Sequence, residues 1–106
     1  MDQSACKLTL VYPAAFEAQL VELLMDSDPP LAGFTSWGAD GLGHTFEKAN
    51  MRERVRGRVA RGVLVLLLER QRLPELLEAI RTKVAIPDLL YWIEPIEGFG
   101  RLSPAS

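Results

Sequence analysis

The residues best equipped for chemistry lie between Gly38 and Arg61, in the stretch GADGLGHTFEKANMRERVRGRVAR. It holds the chain's only histidine, His44, with Asp40 and Glu47 close by. An imidazole beside carboxylates is a donor set for a transition metal, which makes His44, Asp40 and Glu47 the candidate metal ligands. A closed metal site needs more converging donors than this stretch displays, so a plain polar loop histidine is the competing reading. Further on, Arg52, Arg54, Arg56 and Arg58 fall at every second position. In an extended segment they would share one face and offer a row of planar donors suited to phosphate or carboxylate. The alternative is a solvated hairpin edge whose charge resists unwanted strand pairing. Arg56 and Arg58, flanking Gly57, are the preferred anion-binding pair. Gly41 and Gly43 are candidates for close backbone approach to an anion, although their spacing matches no nucleotide fingerprint and ordinary turns use the same residue. Arg101, after Gly98-Phe99-Gly100, is a last candidate ligand residue, read either as part of a cleft against a neighbouring subunit's loop or as a plain tail.

Nothing in the chain pairs a nucleophile with a base. Cys6 opens an apolar strand-like stretch and reads as a small core residue, and its separation from His44 argues no catalytic pair. The expectation is a protein that is not an enzyme, with its cofactor, if any, unspecified by sequence.

Length and composition bound the rest. The 106 residues fit one domain, residues 1–106, and 48% hydrophobic with 25% charged residues is ordinary globular composition. A formal charge of -2 supplies no global basic field, so nucleic acid is not an expected partner and anion binding must be local. One cysteine cannot make an internal disulfide, which favours a reducing compartment. Met1-Asp2-Gln3-Ser4 lacks the start of a signal peptide, and the longest apolar run, Val63 to Leu68, is too short to span a bilayer. A cytoplasmic protein without membrane insertion is expected.

Around the polar stretch the elements repeat. Cys6 to Tyr12 reads as a strand stopped by Pro13, and Ala14 to Met25 reads as a helix with Phe16, Leu20, Leu23 and Leu24 on one side. Asp28-Pro29-Pro30 ends that helix, and Gly33 to Trp37 predicts a second strand. Gly62 to Leu68 is an unbroken apolar run that suits a central strand. Glu69 to Val84 predicts the second helix, with Pro74 in its first turn, and Leu89 to Ile93 a fourth strand. Residues 94–106 form a tail with room for a short edge segment. The order βαββαβ is that of an α+β, ferredoxin-like sandwich: an antiparallel four-stranded sheet, both helices on one face, and a long loop, residues 38–61, between strands 2 and 3. If Tyr12, Trp37 or Trp92 points to the other face, that face is an apolar patch that a closed homo-oligomer would bury.

Gly33-Phe34-Thr35-Ser36-Trp37, the glycine-rich segment with His44-Thr45, and the arginine run into Gly62-Val63-Leu64-Val65 resemble PII-type signal proteins. Gly33-Phe34-Thr35-Ser36, Val55-Arg56-Gly57-Arg58, Tyr91-Trp92-Ile93 and Gly100-Arg101 are more specifically similar to an uncharacterised proteobacterial PII-like family whose genes often lie beside heavy-metal efflux pumps. The resemblance implies a homotrimer with ligand clefts between subunits, and a T-loop, residues 38–61 here, that reports ligand state to a protein partner. Where PII proteins carry a phosphate-holding loop of glycine and lysine, this chain has Val84-Ala85-Ile86-Pro87-Asp88, and no tyrosine stands near Phe46 for modification. The leading expectation is a sensor that binds a small anion, nucleotide or metal near the loop. The alternative is a trimeric metal-tolerance protein similar to CutA, using His44 with Asp40, Glu47 or Cys6; a small ferredoxin-like enzyme or dimeric assembly domain is a third reading.

Overall fold

A computed structural model describes residues 5–42 and 59–105 of the protein. Strand β1, Ala5–Pro13, alternates as a strand covered by helices should: Cys6, Leu8, Leu10 and Tyr12 are wholly buried on one side, while Lys7 and Val11 on the other are half-buried. Pro13 closes it and leads through a single 3-10 turn, Ala14–Phe16, into helix α1, Glu17–Met25. Leu20 and Leu24 are one helical turn apart and are the buried residues of α1. Strand β2 runs Phe34–Gly41 and β3 runs Val59–Glu69. A second 3-10 turn, Arg70–Arg72, enters helix α2, Leu73–Ala79, which has proline in its first turn, where no backbone donor is lost. The helix widens into a π turn, Ile80–Val84, and Ala85 ends it in the left-handed region at φ 52°. Strand β4, Leu90–Pro95, completes the chain's regular structure among the described residues.

The sheet order is β2-β3-β1-β4 with every neighbouring pair antiparallel, and the helices cover one face. One core lies between: Cys6, Leu8, Leu10 and Tyr12 of β1 and Leu64, Leu66 and Leu68 of β3 pack with Leu20, Leu24, Leu73, Leu76 and Ile80 from the helices. At about 25 cal/mol per Å² of apolar surface removed from water, this layer is the main favourable term in folding. The fold is therefore the expected α+β, ferredoxin-like one.

Three boundaries differ from the sequence expectation. β2 continues through Gly38, Ala39, Asp40 and Gly41, which pair with Gly62, Arg61, Ala60 and Val59, so the polar stretch is strand at both of its ends. Backbone pairing needs no apolar side chain, and that is why a loop-like composition concealed it. The second helix is a 3-10, α and π succession and not one uniform helix. Glu94 and Pro95 belong to β4, and residues 96–105 contain no strand.

Candidate functional site

Of the candidate ligand residues, Gly43, His44, Glu47, Arg56 and Arg58 lie outside the described residues. The structure places Gly41 and Asp40 together at the far end of β2, the first buried and the second exposed. Directly beside them, β3 begins with Val59, Ala60 and Arg61, and Arg61 is only 6% exposed. A guanidinium stays ionised and is costly to bury, so it must be matched by other groups. Arg61 and Asp40 are indeed each engaged. Arg61 was merely the last member of the arginine run in the sequence; its parity in β3, with Val63, Val65 and Leu67, is what turns it to the uncovered sheet face beside Ala39.

The other candidates are spread apart. Cys6 pairs with Leu68 and Asp40 lies beside Ala60, so the two are eight positions, about 26 Å, apart along β3. They cannot share a metal within one subunit. Cys6 is instead a core residue whose thiol is pushed up by burial, against a lowering influence of Arg70. Among the described residues no group of three or more His, Cys, Asp or Glu side chains converges as a metal site. Arg101 is exposed, and it follows β4, whose end at Pro95 pairs with Cys6, at the opposite end of the sheet from Gly41 and Arg61.

The uncovered face carries a second feature. Register sets Trp37, Val63, Val11 and Leu90 in one row across the sheet and Thr35, Val65, Thr9 and Trp92 in the next. Trp37 and Trp92 are 50% and 46% exposed. In the row beyond, Lys7 and Glu94 approach to 3.7 Å, and Glu94 Oε1 also accepts a hydrogen bond from Trp92 Nε1 at 3.2 Å. Two aromatic rings, aliphatic neighbours and a polar rim have the make-up of an interaction surface. Tyr12 does not belong to it. It shares the parity of Cys6, Leu8 and Leu10, lies in the core under the helices, and donates a 2.7 Å hydrogen bond to Glu17 Oε1.

On the helical face, α1 and α2 flank an open groove of about 780 Å³. Glu22, Asp26 and Asp28 line it from one side and Arg72 and Lys83 from the other. Arg72 also donates to the carbonyl of Pro29, tying the turn after α1 to the second helix.

The chain belongs to the family described as "Protein of unknown function (DUF3240)", which matches residues 2–103. No curated protein matches it. Among solved structures it is similar to a DUF3240 family protein from Shewanella baltica OS155, at 20% identity and a TM-score of 0.77, over 97% of this chain and 100% of that one. It is similar also to CPII, a nitrogen regulatory PII-like protein from Thiomonas intermedia K12 bound to ADP, AMP and bicarbonate, with 16% identity, a TM-score of 0.67, and 92% and 96% of the two chains covered. Arabidopsis thaliana PII bound to citrate aligns at 15% identity and a TM-score of 0.65 over 90% of this chain and 79% of that one. At these identities the likeness establishes the fold. No helix among the described residues is long and apolar enough to cross a membrane.

Proposed function

We propose that this chain is a non-enzymatic PII-like sensor: a cytoplasmic homotrimer that binds a small anion or nucleotide near the root of the 42–58 connection and signals occupancy to a protein partner. The observation that carries the reading is Arg61, a cation buried across from Ala39, two positions from Gly41, near the ends of β2 and β3. A fixed, desolvated guanidinium is suited to phosphate or carboxylate. The ligands named for the Thiomonas and Arabidopsis proteins, ADP, AMP, bicarbonate and citrate, are all anions and support that class. Arg56 and Arg58 would add donors from the connection. The apolar sheet face with Trp37 and Trp92 supports the assembly, and burying three such faces around one axis would form clefts between subunits. The partner the resemblance points to is a heavy-metal efflux system.

Calorimetric titration of the assembled protein with ADP, AMP, bicarbonate and citrate tests the reading. Saturable binding of one of them is expected, weakened at least tenfold in Arg61→Gln of unchanged circular dichroism. Absence of saturable binding by all four at millimolar concentration would overturn it.

A further inference from the structure

Two features of this chain lack a counterpart within it. The first is the outer edge of β2. β2 is a terminal strand of the sheet, so its outward backbone groups pair with no other strand among the described residues, and Phe34-Thr35-Ser36-Trp37-Gly38 carries no charge along it. Edge strands are ordinarily guarded by lysine, proline, a bulge or a covering element. The opposite edge has such guards: β4 ends in Glu94-Pro95, with Lys7 beside Glu94. Among the described residues the β2 edge has none until Asp40.

The second is the chain beyond β4. Residues 97–105 are all exposed and make no hydrogen bond among the described residues. Yet the segment is not a polar tail: Phe99 is 56% exposed and Leu102 wholly so. It has unpaired backbone donors and acceptors and two large apolar side chains, which are what an uncharged strand edge with an exposed tryptophan can satisfy.

We infer that the segment 97–103 of one copy pairs as an added strand along the β2 edge of a second copy, with Phe99 or Leu102 packed against Trp37. The inference rests on the assembly proposed above and specifies one of its contacts. The occupant is a second copy and not the same chain, because β4 and β2 are opposite edges of the sheet with two strands between them. Each copy gives a tail and receives one on a different patch, an arrangement that closes either as a ring or as a reciprocal two-fold exchange. In the trimer proposed above, a ring of three satisfies every tail and every edge.

The test is a chain ending at Glu97, compared with the full chain by native mass spectrometry and by hydrogen exchange of Phe34–Gly38. Because residues 98–105 are exposed and lie outside the core cluster, circular dichroism of the shortened chain should be unchanged. At least a tenfold rise in the assembly's dissociation constant, with faster exchange at Phe34–Gly38, is the expected result. Phe99→Pro in the full chain, which removes a donor and blocks strand pairing, should reproduce it. A shortened chain that assembles as tightly as the full chain, with unchanged exchange along β2, would overturn the tail contact while leaving the assembly itself in place. A full chain that is monomeric would overturn both.

Discussion

At the scale of single residues, the tightest constraint is between Gly62 and Tyr12. A Cβ placed on Gly62 would stand 2.4 Å from Tyr12 Cε2, 2.7 Å from Cζ and 2.8 Å from the hydroxyl oxygen. The ring cannot step aside, because it is wholly buried and its hydroxyl is anchored on Glu17. Gly62 therefore serves close approach, and Gly62→Ala should cost about 1–3 kcal/mol in urea unfolding despite alanine's better strand propensity. Tyr12→Phe leaves the ring in place and removes the hydrogen bond, with an expected loss of about 0.5–1.5 kcal/mol. The phenol of Tyr12 is held above its ordinary value of 10.0 first by burial, then by its hydrogen bond to Glu17 and that carboxylate's charge. Above pH 10 the unfolded chain gives up this proton and the folded chain keeps it. The stabilisation is thus present in full below pH 10 and is lost as pH rises beyond it, at no more than about 1.4 kcal/mol per pH unit. Alkaline stability curves should show the full-length protein declining more steeply above pH 10 than Tyr12→Phe; parallel curves would contradict the assignment. None of this was legible in the sequence, where Tyr12 was one aromatic among several at a strand's end and Gly62 a boundary marker.

At the scale of elements, legibility followed the side chains. Leu64, Leu66 and Leu68 announced β3, and Leu20 with Leu24 announced α1, because burial there is accomplished by side chains at strand and helix spacing. β2 past Trp37 is held through its backbone ladder to β3, so Gly38 to Gly41 looked like the start of a loop and were not. The site shared that blindness. Gly41 and Asp40 were singled out for loop chemistry and lie at the end of β2, and the buried Arg61 became visible only once register fixed its face. Helix ends give a further case. Ala85 takes the left-handed conformation at φ 52° with its N–H bonded to the Ile80 carbonyl at 3.2 Å, a position that glycine fills without a Cβ penalty. It is exposed, so no packing is at stake. Ala85→Gly should raise stability by roughly 0.5–1 kcal/mol, seen as a higher urea midpoint with an unchanged slope. A lower midpoint would show that the greater freedom of glycine in the unfolded chain outweighs the relief.

At the scale of the whole molecule, the two faces of the sheet differ. One sheet face is sealed by helices into a single core, while the other sets Trp37 and Trp92 in adjacent rows amid Val11, Val63, Val65 and Leu90. The chain has only these two tryptophans. Their emission therefore reports on the uncovered face and on nothing in the core, which makes assembly and folding separately readable. In the assembled protein the indoles leave water, and dilution below the dissociation constant should shift emission to the red while far-UV circular dichroism stays constant. Trp92→Asp places a carboxylate in the middle of that face beside Glu94, where like charges add to the cost of desolvation. It should yield a monomer with native circular dichroism, whose remaining tryptophan emits at the red-shifted position at every concentration. Emission of the unmodified protein that stayed red-shifted and independent of concentration up to the millimolar range would mean that this face remains in water. The proposed clefts between subunits would then be absent, and the anion site proposed at Arg61 would have to be complete within one chain.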